Sequence, residues 1–587
     1  MTLLCACTFL PMLNNSAENG ENGKNSTNST IRIVVNGIDN DVVENIRDHI
    51  SMSRSACTVP VDLLRPRINK ARTETTTALQ ALGYYEANIA LELLETEDCP
   101  TLNINVEPGR RMSVDDVKIE ITGDAGNDRL FMARLEKIPL NKGDPLNHGN
   151  YSKAKSLIES VATELGYLEG RFEHSVLTID MENYAARISL IYNSGERYRL
   201  GDIKLTQNPK ELRESLVNRL IEAPRGEYFN TREIIKIQER LSSSNYFKDV
   251  EVRPRLTTNE EKTIPVDVTV TPSDRHKVSA SFGYASDEGF RGRLGYTDRR
   301  WNDRGHRLGG EIRLSQIERG LSANYQIPRK HPSNEWLQFT AGLRQEEVDT
   351  FDAIKGRISI TESKRRPWGF LENRFISLSR DDFEIGGEDN SGTYLIPGLR
   401  WNRRVTDNDL YPQRGLDISI EARGGTEAII SDTSFARTHL HVHYLKGIGY
   451  GVRVGVRTDL GALWVDEFRA LPPSERFFAG GDNSIRGYGF QDLGPVNDLG
   501  LVIGGKYLGV ASLELEKRLF GKWGVATFVD TGNAFGGPGS NTGVKIGAGV
   551  GIRWLSPVGP VRLDMAHPFD DDTDTVIRFH IRIGTDI

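Results

Sequence analysis

The chain has 587 residues carrying 74 Lys and Arg against 81 Asp and Glu, for a net charge of −7, with 58 glycines, 4 cysteines and 38% hydrophobic residues. Its basic residues are dispersed, so the concentrated positive stripe of a nucleic-acid binder is missing and no nucleic-acid partner is expected. No apolar run reaches the roughly 18 residues that a membrane-crossing helix needs, although a β-barrel stays open because its alternating strands keep mean hydropathy low.

Residues 1–30 read as the remnant of an export signal, TLLCACTFLPML with Cys5 and Cys7, followed by the polar leader NNSAENGENGKNSTNST. That leader is too poor in apolar side chains to repay the entropy of ordering. One pattern then occurs three times. An alternating strand opens each copy (31–38, 117–123, 203–206), and helical segments follow (63–82, 151–165, 231–243). A Gly or Asn next precedes Tyr84, Tyr167 or Tyr246, and a final strand runs into a turn as NINVEPG, SLIYNSG or DVTVTPS. The spacing predicts β-α-α-β-β units over 31–112, 113–196 and 197–274. The short sheet of such a unit either accepts a strand from another chain at its edge, through main-chain hydrogen bonds, or serves as a spacer. Cys57 and Cys99 fall in the first unit. They either form a disulfide, as an oxidising compartment permits, or remain two small apolar thiols.

From residue 275 the helical period stops. Sixteen alternating runs take over, beginning near 278, 290, 306, 319, 336, 354, 368, 393, 415, 434, 450, 508, 522, 544, 559 and 576. Within them Leu416, Ile418 and Ile420 interleave with Asp417, Ser419 and Glu421, and Val561, Leu563 and Met565 with Arg562 and Asp564. Successive side chains leave a strand on opposite faces, so one face is apolar and the other charged. A soluble sandwich and a membrane barrel share that alternation. An open sheet of sixteen strands is larger than usual, whereas an even-numbered closed barrel leaves no edge. The expected fold is therefore α+β repeats followed by an all-β, sixteen-stranded antiparallel transmembrane barrel over 275–587 in a lipid bilayer, with a long inward-folded loop at 465–505.

Several local patterns imitate chemistry. GLVIGGK (500–506) has the spacing of a phosphate-binding loop, but Tyr507 stands where a Ser or Thr would ligate magnesium. GAGVG (547–551) falls inside an expected strand, and His439, His441 and His443 share one strand face that points to the lumen rather than to a metal. We find no constellation for covalent or metal catalysis and expect no enzyme, no metal and no cofactor.

The loop segment ERFFAGGDNSIRGYGFQDLGP (475–495), the strands SLELEKRL (512–519) and FVDTG (528–532), and the C-terminal RFHIRIGTDI (578–587) carry a resemblance. With the three repeats, the chain resembles the Omp85 superfamily, in which POTRA domains precede an outer-membrane barrel. IRGY matches the signature at the tip of the sixth extracellular loop. The resemblance implies that Arg486, Gly487 and Tyr488 fold back into the lumen, where Glu514 and Asp530 hold the arginine. A planar guanidinium fork suits carboxylates, and removing one partner of such a buried pair costs about 3–5 kcal/mol. Whether the contact braces the barrel or works as a gate, it predicts the same residues.

The terminal strand resembles the β-signal of outer-membrane proteins. It implies a lateral seam, with Val278, Ala280 and Phe282 of the first strand opposite Phe579, Ile581 and Ile583 of the last, along 276–284. Gly584 matches a position where the last strand bends inward. ALGYYEANI (81–89), YNSGERYRLG (192–201), RFFAGGDNSIRGY (476–488) and WLSPVGPVRLDMA (554–566) are most similar to the TamA branch of the superfamily. That branch implies a Gram-negative outer membrane, POTRA domains in the periplasm, a TamB-like periplasm-spanning partner, and unfolded barrel or autotransporter clients. The alternatives are a two-partner secretion transporter and a passive porin with periplasmic domains.

Overall fold

The computed structural model describes residues 30–96, 99–224, 226–537, 542–557, 559–569 and 577–584. The expected export signal and nearly all of the polar leader lie outside the described residues.

The first repeat consists of β1 (Arg32–Asn36), α1 (Asn40–His49), α2 (Val61–Leu64), α3 (Ile68–Ala81), β2 (Asn88–Leu94) and β3 (Thr101–Glu107). Its sheet runs β1-β3-β2, parallel on one side of β3 and antiparallel on the other. Alternation along β3 buries Leu102, Ile104 and Val106 against Ile46 of α1 and Leu79 of α3. A disulfide joins Cys57, between α1 and α2, to Cys99, just before β3. The second repeat is β4 (Ser113–Thr122), α4 (Arg129–Leu135), α5 (His148–Leu165), β5 (Arg171–Asp180) and β6 (Ala185–Asn193), with sheet order β4-β6-β5. The third is β7 (Arg199–Gln207), α6 (Glu214–Ile221), α7 (Thr231–Ser243), β8 (Phe247–Pro254) and β9 (Thr263–Pro272), with order β7-β9-β8.

The residue that recurs before each tyrosine has a structural cause. Gly83, Gly166 and Asn245 all adopt positive φ (93°, 89° and 60°) just after α3, α5 and α7. Left-handed backbone at that position ends a helix and turns the chain toward the next strand, and glycine and asparagine tolerate it best. The tyrosines that follow are anchored: Tyr167 and Tyr246 are buried, and burial beside Asp128 raises the Tyr167 hydroxyl well above its ordinary range.

The chain divides into two compact units. One comprises the first two repeats with 228–230 and 256–263; the other holds most of the third repeat together with the barrel. Inside the second unit, Tyr246 donates to the carbonyl of Gly305 (2.5 Å), and Arg213 pairs with Asp303 at 2.7 Å.

The barrel comprises β10 (His276–Ala285), β11 (Gly289–Asp298), β12 (Arg307–Leu314), β13 (Glu318–Pro328), β14 (Glu335–Val348), β15 (Phe351–Arg365), β16 (Leu371–Ile385) and β17 (Glu388–Thr406). It continues with β18 (Arg414–Gly425), β19 (Phe435–Gly449), β20 (Val452–Val465), β21 (Tyr507–Phe520), β22 (Trp523–Phe535), β23 (Lys545–Ser556), β24 (Gly559–Pro568) and β25 (Arg578–Ile583). Sixteen strands follow one another in chain order and close into a barrel. Leu513, Leu515, Val529, Val550, Ile552, Leu563 and Phe579 are exposed on its outer face, while their strand neighbours Ser512, Glu516, Asp530, Arg553, Asp564 and His580 are buried inside. No described helix is long and apolar enough to cross a membrane; the exposed apolar face of the closed barrel is of the kind that suits lipid.

The seam corrects one expectation. Pairing of the first and last strands was expected along 276–284, yet among the described residues it consists of Ala285 opposite Arg582. Ser286 adds an N–H donated to the Ile581 carbonyl and an Oγ that accepts from the Ile581 N–H, both at 2.9 Å. Val278 (69% exposed), Ala280 and Phe282 (89%) are thus not opposite Phe579, Ile581 and Ile583. The displacement has a physical reason. β25 spans six residues against ten in β10, and its inner side chains dock on the loop in the lumen, which fixes its height. Gly584, at φ 146°, follows β25 in backbone that favours glycine.

Candidate functional site: a loop seated in the lumen

The segment between β20 and β21 is the longest barrel loop, and it folds on itself before it meets the wall. Phe477 bridges to Gly505, Ala479 to Leu493, and Val496 to Val502, which makes an irregular hairpin. Ala479, Ile485 and Tyr488 pack with Val510 of β21. The hairpin turns tightly because Gly480 has φ 99°; a Cβ there would sit 2.2 Å from the carbonyl oxygen of Gly489.

Arg486 lies at the tip and is 4% exposed. Its Nε and Nη2 donate to the two oxygens of Asp530 on β22 at 2.7 and 2.9 Å, a bidentate fork. Its backbone N–H also donates to Asp530 at 3.1 Å. Nη1 reaches Glu514 of β21 at 2.8 Å and Asp564 of β24 at 3.1 Å. The guanidinium carbon lies 3.4 Å from the ring centre of Phe528, adding a cation–π contact. Arg553 of β23 adds a second cation, contacting Glu514 at 2.9 Å and Asp564 at 2.5 Å. Two arginines therefore meet three carboxylates, with Asp530 0% exposed.

The structure thus brings Arg486, Glu514 and Asp530 together and adds Asp564 and Arg553, which sequence reasoning left outside the site. The signal for Asp564 was present: alternation along 561–565 puts it on the inner face with Arg562. Gly487 donates its N–H to Nε2 of His580 at 2.9 Å, and Tyr488 donates its hydroxyl to the Ile546 carbonyl at 3.2 Å. GAGVG, which imitates a dinucleotide-binding motif in the sequence, also finds its cause. A Cβ on Gly547 would lie 1.9 Å from the carbonyl oxygen of Arg486, so β23 carries glycine where the loop backbone touches the wall.

Two further contacts were not foreseen. Glu475, fully buried at the base of the loop, meets Arg423 at 2.8 Å, Arg357 at 3.4 Å and Lys355 at 3.6 Å. Asp482, near the tip, bridges both sides of the seam. It accepts from Ser286 Oγ (2.9 Å), beside β10, and from Nδ1 of His580 on β25 (2.5 Å), while its N–H donates to Asp287 at 2.6 Å. Because Nε2 of His580 accepts from Gly487, Nδ1 carries the proton, so His580 is committed at both nitrogens. His441 and His439 both face Asp459, at 2.8 and 3.4 Å, on the inner wall.

With this geometry in hand, comparisons with known proteins place the chain. Residues 275–587 match the family model described as Omp85 superfamily domain. Residues 32–108 match one described as POTRA domain TamA domain 1, and 198–273 one described as Surface antigen variable number repeat. The outer membrane protein assembly factor BamA of Nitratidesulfovibrio vulgaris is 23% identical over 63% of this chain and 48% of its own length, so the chain spans about half of that relative. BamA of Neisseria meningitidis serogroup B is 20% identical over 87% of this chain and 72% of that protein. The crystal structure of Haemophilus ducreyi BamA lacking POTRA domains 1–3 superposes with a TM-score of 0.66 at 16% identity, covering 81% of this chain and 99% of that one, a likeness of fold. By the match that covers its whole barrel, the chain belongs to the Omp85 superfamily of outer-membrane β-barrel proteins.

Proposed function

We propose that the chain is the TamA-like outer-membrane subunit of a translocation and assembly module in a Gram-negative bacterium. It assembles autotransporters and other barrel proteins by pairing client strands at the seam between β10 and β25. The observation that carries this reading is that, among the described residues, β10 and β25 pair at Ala285 opposite Arg582, with the outer residues of β10 exposed. Unpaired N–H and C=O groups at membrane depth cannot be satisfied by lipid, whereas an incoming strand satisfies them. Client folding and strand pairing supply the driving energy, and the Arg486 contacts brace the lumen while the seam exchanges partners. In this reading the POTRA repeats lie in the periplasm, where β1 and β2, the two edge strands of the first sheet, offer a docking edge to a TamB-like partner. The loop seated in the lumen tells against a passive diffusion pore, and nothing in the reading requires enzymatic chemistry.

The test is an Ala285→Cys and Arg582→Cys pair, oxidised to lock the seam. Client assembly in reconstituted membranes should stop under oxidation and recover on reduction. Undiminished assembly with a fully formed cross-link would reject lateral opening.

A further inference from the structure

Three elements meet at one point of the seam: the tight turn between β10 and β11, the tip of the lumen loop, and β25. Asp287, Asp482 and His580 make that contact, each with a carboxylate oxygen or imidazole nitrogen within 4.8 Å of the other two. Gly481 has φ 99°, and a Cβ there would sit 2.5 Å from Oδ2 of Asp287, so the loop backbone lies directly on that carboxyl group. The two acids are served unequally. Asp482 accepts from Ser286 Oγ with both oxygens, at 2.9 and 3.1 Å, and from Nδ1 of His580, and Arg582 lies near enough to favour its charged form. Asp287 accepts one hydrogen bond among the described residues, from the Asp482 N–H. His580 has no lone pair left for a metal ion, since Nε2 accepts from Gly487 and Nδ1 carries the proton, so neutralising the second acid falls to a proton.

Two carboxyl groups this close and withdrawn from water do not both ionise readily, and the unequal supply of donors decides which one takes up the proton. Burial, then the charge of Asp482, pushes the Asp287 carboxyl up to about 7. Burial raises Asp482 too, but the hydrogen bonds from His580 and Ser286 and the charge of Arg582 hold it below its usual range. The other charges that face Asp287 have partners of their own. Glu288 in the same turn pairs with Arg291 at 3.2 Å, and Glu346 on β14 with Arg344 at 3.2 Å. Across a cavity of about 490 Å³ that borders Asp287, His439 and His441 face Asp459, Arg437 faces Glu421, and Arg476 donates to main-chain carbonyls. We infer that Asp287, Asp482 and His580 form a proton-operated latch on the seam. With its proton, Asp287 donates to Asp482 and clamps the loop tip between the first hairpin and β25; without it, two carboxylates oppose each other and the tip is released from the turn. The native state holds a proton that the unfolded chain gives up in the ordinary carboxylate range, so the contact is fully stable at mildly acidic pH and weakens as pH rises through about 7. The latch rests on the assembly reading only for its use, as a control on when β10 and β25 part.

The experiment follows hydrogen exchange of the full-length protein in detergent at the amides of Asp482 and Ile581, corrected for the intrinsic pH dependence of exchange. Protection at both should fall at least about tenfold between about pH 5.5 and about pH 8.5, while the amides of β16 and β17 keep theirs. Asp287→Asn keeps the shape without the charge, and its carboxamide still donates to Asp482, so this variant should hold the low-pH protection throughout. If it does not fold, infrared difference spectra of the wild-type protein decide: the carbonyl band of a protonated carboxylic acid should fade as protection falls. The latch is overturned by a wild-type profile that is flat with pH, by a folded Asp287→Asn variant that keeps the wild-type response, or by the absence of that band. None of these readouts uses a client, so failure here leaves the assembly reading standing, and undiminished assembly across a locked seam leaves the latch standing.

Discussion

The lumen loop is held at two places by the same chemistry with opposite polarity. At its tip a cation on the loop, Arg486, meets acids on the wall; at its base an acid on the loop, Glu475, meets cations on the wall. The two anchors differ in what remains when the loop residue is removed. Two of the three wall cations at the base have second partners, since Lys355 contacts Asp381 at 3.1 Å and Arg423 contacts Glu421 at 3.2 Å, while Arg357 pairs with Glu475 alone among the described residues. At the tip, Glu514 and Asp564 keep Arg553, whereas Asp530 loses its ion pair and keeps the Ser512 hydroxyl and the backbone N–H of residue 486. Ion-pair number alone therefore misjudges the anchors, and what decides is whether the surviving charge has anywhere to go.

That difference orders the expected effects. Arg486→Ala removes the ion-pair partner of the buried Asp530 and should cost about 3–5 kcal/mol of barrel stability. The check is guanidinium unfolding in detergent, together with faster proteolysis of residues 466–506; an unchanged midpoint would erase the contrast between the anchors. Glu475→Gln keeps the shape and lets Lys355 and Arg423 fall back on their second acids, so about 1–3 kcal/mol is expected in the same assay. If this variant were the more damaging of the two, polarity or depth would outrank residual pairing.

Smallest is His580→Ala, which removes hydrogen bonds to Asp482 and Gly487 at the seam and should cost about 1–2 kcal/mol. Its signature is local. Hydrogen exchange at Ser286 and Ile581 should accelerate while the amides of β16 and β17 stay protected. Uniform acceleration across the barrel would show that the His580 contact is not confined to the seam.

Much of the architecture was legible in sequence because period is a local property. Alternation in steps of two marks which side chains of a strand share a face, and sixteen such runs marked the barrel before any contact was known. The recurring Gly or Asn before each tyrosine was likewise readable, since a helix end imposes positive φ on whatever residue stands there. Arg486, Glu514 and Asp530 were reached through the resemblance of IRGY and its neighbouring strands, and Asp564 was within reach of the alternation rule.

Other features depend on closure. Phase tells that Glu514, Asp530, Asp564 and Arg582 face inward, but not at what height each meets the loop, because strand stagger is set by the hydrogen-bond register of the whole barrel. Hence, among the described residues, the seam contacts fall at Ala285 and Ser286. Hence also Glu475, a loop residue with no periodic signal, finds three wall cations. Local side-chain alternation determined the strands and their faces, while only the tertiary register, a collective property of sixteen paired strands, decided which charges meet.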